Sequence, residues 1–136
     1  MGTKNRMQYP RRRAARTVLR AVTGRLIRLL GNLEIVGVEH VPASGPVILA
    51  ANHFNFVDPP LVLYASPRMV EFIGGANRPN SPLWARMIPQ MWGFIRAYRG
   101  GFSRSTFDQS LSVLQQDGVL GIFPEGGSWA SLLRPA

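Results

Sequence analysis

"GPVILAANHFNFVDPP", residues 45–60, decides how the rest of the chain is read. Its first half is a nearly unbroken apolar run, the composition of a strand buried on both faces of a sheet. Its second half carries a histidine and, five residues on, an aspartate, among phenylalanines and ahead of two prolines. Asp58 followed by Pro59 is a good N-cap and first-turn pair, so a helix is predicted from Pro59 to about Ala65. Strand, loop and helix in that order set His53 just past the carboxyl end of a strand, where open α/β sheets bind ligands.

Outward from this stretch the pattern repeats. "LEIVGVEHV" (33–41), "RMVEFIGG" (68–75) and "FIRAYR" (94–99) read as strands, and "GVLGIF" (118–123) as another buried one. "SPLWARMIPQMWG" (81–93) predicts a short helix interrupted by Pro89. Ser105 and Asp108 resemble a helix-starting box ahead of Phe107, Leu111 and Leu114 at helical spacing, with Gly118 ending that helix. Alternating strands and helices imply an α/β fold, a sheet with flanking helices. No internal repeat or low-complexity linker divides the 136 residues, which suffice for one small domain.

The first 32 residues differ from the rest. Lys4, Arg6, Arg11, Arg12, Arg13, Arg16, Arg20, Arg25 and Arg28 all precede the first acid, Glu34, and arginines balance acids afterwards, so the net charge of +9 resides in this segment. Within it Ala15, Val18, Leu19, Val22, Leu26, Leu29 and Leu30 share one face at ~100° per residue. Arg13, Arg16, Arg20 and Arg28 lie opposite, Arg25 and Ile27 break the pattern, and Gly31 with Asn32 stops the helix. Such a basic amphipathic helix suits the interface of an anionic membrane. The second reading packs its apolar stripe on its own domain, with the charges solvated. A nucleic-acid arm is the weaker reading, because the helix lacks aromatic residues for stacking on bases. The organisation expected is a basic segment over 1–32 and an α/β domain over 33–136.

Composition excludes several classes. With no cysteine there is neither a disulfide framework nor a thiol nucleophile. No apolar run is long enough to cross a bilayer, and neither a cleavable signal peptide nor a myristoylation signal is visible. His40 and His53 are the only histidines, and with scattered acids they form no metal-ligand cluster.

His53 and Asp58 would stand ~140° apart on a regular helix, so only a turn through Asn55 and Phe56 brings the carboxylate back to the imidazole. A carboxylate on one ring nitrogen fixes the tautomer and leaves the other nitrogen free to take a proton. The plainer alternative is a capping aspartate beside a satisfied core histidine; a carboxylate has two oxygens, so capping and catalysis are compatible. Two further stretches bear on the choice. "GFIRAYRGG" offers Gly93, Arg96 and Arg99 ahead of two glycines, and "FPEGGSW" ends the buried strand in Glu125 and a Gly-Gly turn. Arginine forks and glycine-rich turns suit a phosphate or carboxylate, although each stretch alone is an ordinary surface feature.

Taken together, "NH-x4-D", "G-x5-R" and "FPEG" resemble, in order and spacing, the glycerolipid acyltransferase family of lysophosphatidate acyltransferases and relatives, over about residues 33–136. The resemblance implies that His53 and Asp58 are a catalytic pair. It also implies that Gly93 and Arg99 of the second block, and Phe123, Pro124, Glu125 and Gly126 of the third, hold the acceptor's glycerol phosphate. Arg96 is the alternative second-block arginine; the spacing and following glycines favour Arg99. Many members carry serine where this chain has Asn55. The family's fourth block is absent, so the domain reads as partial at its C-terminal side.

The implied reaction moves a fatty acyl group from acyl-CoA or acyl carrier protein to the hydroxyl of a lysophospholipid, 1-acylglycerol-3-phosphate foremost. No bound cofactor is called for. "GGSWA" lacks the second glycine of a serine nucleophile elbow, which favours direct attack over an acyl-enzyme. The expected location is peripheral, on the cytoplasmic side of a membrane with an anionic surface, and no nucleic-acid partner is expected. The alternative is a catalytically inactive, membrane-associated fragment of such an enzyme.

Overall fold

The computed structural model describes residues 7–74, 87, 90–97 and 103–126. Helix α1 spans Arg13–Leu30, followed by a 3-10 turn at Val38–His40. Strand β1 (Val47–Ala50), helix α2 (Asp58–Ala65) and strand β2 (Val70–Gly74) come next. Strand β3 (Ile95–Arg96), helix α3 (Arg104–Leu114) and strand β4 (Val119–Ile122) complete the described elements. The strands form a parallel sheet in the order β1-β4-β2-β3. This is the α/β architecture that the alternating pattern implied, with α1 preceding it.

Alternating side chains of the sheet feed two cores. On one face Val70, Phe72 and Val119 are buried with Val47, Leu49, Phe94, Phe123 and the α2 residues Val62 and Leu63. On the other, Ile95 and Leu120 pack with Ile73, Ile122 and the α3 residues Val113 and Leu114. Gly121 faces the first core so closely that a Cβ there would stand 2.6 Å from the Phe72 ring and 2.7 Å from Val70 Cγ1. Only glycine lets the Phe72 ring lie across the central strand.

Several expected elements differ. Residues 33–37 form no strand, and Val38–His40 is a 3-10 turn. Gly37, with φ 84°, breaks the extended run, and Val36 is exposed rather than buried in a sheet. β1 is not buried on both faces: it lies at the sheet edge, and Ile48 on its α3-side face is 56% exposed. Asp58 is the first residue of α2, with Val57 in the capping position. The cap of α3 is Ser103, whose hydroxyl accepts from the Thr106 amide, because Ser103 is extended whereas Ser105 is already helical. Phe107 and Leu111 stay largely exposed, and Val113 is the buried anchor of that helix. Within the described part of "FIRAYR" Ile95–Arg96 pair with β2, and Tyr98 and Arg99 lie outside the described residues. Most of the helix predicted over 81–93 also lies outside them; 87 and 90–92 are helical.

α1 is turned the opposite way from a helix packed by its apolar stripe, the second of the readings of this segment. Val18, Val22, Leu26, Leu29 and Leu30 face solvent, the last two more than four-fifths exposed, while Arg16 is fully buried. The arginine face docks. Arg16 pairs with Glu71, itself fully buried, through both guanidinium nitrogens, one at 2.8 Å, and its Nε donates to the Trp92 carbonyl at 2.9 Å. The Trp92 ring lies 4.9 Å from the same guanidinium. Arg11 adds a 2.8 Å bond to Glu71, Arg20 donates to the Ser66 carbonyl, and Arg28 reaches the Tyr64 hydroxyl.

Candidate active site

β1 and β4 run side by side, with Ala50 opposite Ile122, and the Ala51 amide extends the ladder to the Ile122 carbonyl at 3.1 Å. Both chains therefore leave the sheet at the same end, and residues 52–58 meet residues 123–126 there. His53 Nδ1 lies 2.9 Å from Asp58 Oδ2, with both side chains about five-sixths buried. The turn that permits this is held by Asn55. Its amide donates to the same Asp58 oxygen at 2.6 Å, and its side-chain oxygen accepts from the Phe56 amide at 2.6 Å. Asn55 thus shapes the loop that the sequence required to turn here.

Burial works against ionisation of Asp58. The Asn55 amide, the His53 imidazole and the Phe54 amide outweigh it and hold the carboxyl below its ordinary value. An ionised Asp58 only accepts, so a neutral imidazole here would carry its proton on Nδ1 and leave Nε2 bare. This arrangement can take a proton from a hydroxyl and stabilise the imidazolium formed.

A pH dependence follows with a definite sign. A carboxyl whose folded pKa is depressed adds stability above its unfolded value, ~3.9, and loses it as pH falls through the lower folded value. Thermal melts between about pH 2 and pH 6 should therefore fall more steeply for the parent than for Asp58→Asn. Parallel curves would refute the assignment.

The third block converges on the same histidine. The Phe123 ring stacks on the imidazole, with centroids 4.4 Å apart and planes 29° apart, and rests in turn on Phe72 at 5.6 Å. Glu125 Oε1 accepts from the His53 amide at 3.3 Å. Pro124 and Gly126 form the turn with Glu125, closed by the Gly126 amide on the Phe123 carbonyl. The second block is not joined to this cluster by its described part. Gly93, at φ 80°, turns the chain before β3, where a Cβ would stand 3.7 Å from the Arg11 guanidinium, in the Glu71 neighbourhood. Arg96 is exposed on β3, and Arg99 lies outside the described residues.

Residues 32–134 match the model of the family described as Acyltransferase. The chain belongs to the glycerolipid acyltransferase family. Comparison with curated proteins and with solved structures gave no match. In this acyltransferase the His53–Asp58 pair lies inside the matched span, at the sheet end where parallel α/β folds place ligands. A shallow apolar groove of about 220 Å³, lined by Ile35, Val36, Leu49, Ala51 and Val62, begins two residues before His53. A larger one of about 430 Å³, between α3 and the sheet, opens on the opposite face. Among the described residues no group of three or more His, Asp or Glu could hold a metal ion, and no helix is long and apolar enough to cross a membrane.

Proposed function

We propose that this acyltransferase moves a fatty acyl group from a thioester, acyl-CoA or acyl carrier protein, to the free hydroxyl of a lysophospholipid, with 1-acylglycerol-3-phosphate the leading acceptor. The observation that carries the reading is the 2.9 Å contact between His53 Nδ1 and Asp58 Oδ2 within an acyltransferase-family domain. His53 Nε2 takes the acceptor's hydroxyl proton while the hydroxyl oxygen attacks the thioester carbonyl. Collapse of the tetrahedral intermediate breaks the carbon–sulfur bond, and the imidazolium returns the proton to the thiolate. Asp58 holds the ring's direction and offsets its charge through both steps. The groove lined by Leu49, Ala51 and Val62 supports an apolar chain bound on the same face of the sheet as Phe123. Arg99 is proposed for the acceptor's phosphate, since an arginine fork suits it. Incubation with labelled acyl-CoA, or acyl carrier protein charged with the same chain, and a panel of lysophospholipids tests the reading. Label should appear in a diacyl product, and no transfer to any member overturns it.

The substrate class calls for a membrane, and the orientation of α1 supports contact with an anionic surface, for which the cytoplasmic side is proposed. The stripe of Val18, Val22, Leu26, Leu29 and Leu30 projects away from the domain. Arg13 and Arg25, also exposed, would each contribute ~1 kcal/mol near an anionic surface. Replacing Leu26 and Leu29 together by Asp should release the protein from anionic vesicles without lowering its melting temperature. Salt should weaken parental binding without abolishing it, because the apolar contribution is not screened. Undiminished sedimentation of the double variant would refute the contact.

A further inference from the structure

We infer that Phe123 and Glu125 are positioning residues for the His53 imidazole, acting on the base rather than on the acceptor's head group. The inference rests on the reading of His53 as general base. A single hydrogen bond from Nδ1 to Asp58 sets the direction of the ring but leaves it free to tilt about the Nδ1–Oδ2 line. Contact with a flat face removes that freedom. Phe123 supplies the face, 4.4 Å away and inclined by 29°. Its own plane is set by Phe72, only 1% exposed on β2 and stacked within 9° of parallel. Core order is thereby passed through two rings to the imidazole, and a general base must be held in a near-attack geometry to be effective.

Glu125 fixes the other end of the residue. Its Oε1 accepts from the His53 backbone amide, so the loop cannot lift off the end of β4 without breaking a charge-assisted bond. Its Oε2 is buried with no hydrogen-bond partner among the described residues. A buried carboxylate oxygen without a donor is unfavourable, and the contact that the carboxylate does make is to His53. The parallel pairing of β1 with β4 brings the two segments together, since Ala50 and Ile122 end opposite each other.

The test combines a spectroscopic and a kinetic readout on the full chain. The only other histidine, His40, is exposed, so the His53 ring protons can be assigned by comparison with His40→Gln. Over the Phe123 face they should resonate upfield of those of His40. Phe123→Leu should move them to the position of an exposed histidine, and Phe123→Tyr should keep them upfield. In acyl transfer Phe123→Leu should lose kcat by ~10- to 100-fold with KM within about twofold, and Phe123→Tyr should restore most of it. Glu125→Ala should speed hydrogen exchange at the His53 amide, and Glu125→Gln, which keeps an acceptor oxygen, should not. Unmoved ring protons in Phe123→Leu, or a raised KM at constant kcat, would overturn the inference. Absence of turnover in the parent together with the expected proton shifts would count against the general-base reading and leave the positioning intact.

Discussion

His53→Ala should lower acyl transfer by ~10²–10⁴-fold while the protein melts within a few degrees of the parent. The loss is that of the group that takes the acceptor's proton, and the three groups that hold it survive the substitution. Asp58 keeps its bond from the Asn55 amide at 2.6 Å, and Phe123 keeps its stack on Phe72. Glu125 keeps its bond too, because the donor is the backbone amide of residue 53. Asp58→Asn should lower turnover through a different route. An amide in that place can donate to Nδ1, which moves the ring proton to Nε2 and leaves no lone pair facing the hydroxyl. Initial rates with a labelled thioester, beside thermal melts of each variant, check both. Turnover of His53→Ala comparable to the parent would remove His53 from the chemistry.

The candidate site was more legible in the sequence than the packing around it. His53, Asp58 and the residues after β4 carry their signal in residue type and order, because chemistry requires a particular group at a particular place. The loop shape was legible too, since a regular helix cannot bring residues five apart together and a turn through Asn55 can. What that turn needs, an amide bonded to the Asp58 carboxylate, is a backbone contact and leaves little trace in composition. Likewise "LEIVGVEHV" has strand composition, but pairing depends on a neighbour, and Gly37 turns the segment away. Apolar residues at a sheet edge read the same as those at its centre, hence the expectation that β1 is buried on both faces.

The face on which α1 docks was illegible for a sharper reason. Periodicity shows which residues share a face, and convention then assigns the apolar face to the core. Here the convention fails because the core offers a charge. Glu71 sits between Val70 and Phe72, where alternation reads it as a polar residue facing water, and Arg16 sits on the polar side of an amphipathic helix. Each looks like a solvated surface group, and their pairing across 55 positions has no local signature.

That pairing leads to the second large effect. Glu71→Ala should destabilise the protein by ~3–5 kcal/mol, a fall in melting temperature on the order of 10–20 °C. Removing the carboxylate strands the Arg16 guanidinium in a fully buried place, with the Trp92 carbonyl and ring as its partners among the described residues. Arg11 loses its 2.8 Å contact at the same time, so two charges at the start of α1 lose their attachment. The start of the helix should loosen before the sheet unfolds, since backbone carbonyls, of Gln90 for Arg12 and Trp92 for Arg16, then hold it there in place of a carboxylate, while the ties from Arg20 to Ser66 and from Arg28 to Tyr64 lie further along. Trypsin should then cut within 11–28 faster than elsewhere in the chain. A compensated pair behaves differently: Arg16→Met with Glu71→Leu removes both charges and fills the space with apolar atoms, which for buried pairs is often neutral or stabilising. Melting of the single and double variants, read with the cleavage rate, therefore separates an unpaired buried charge from mere loss of volume. If Glu71→Ala melts with the parent, Glu71 does not anchor the helix, and the outward orientation of the Val18–Leu30 stripe must rest on other contacts.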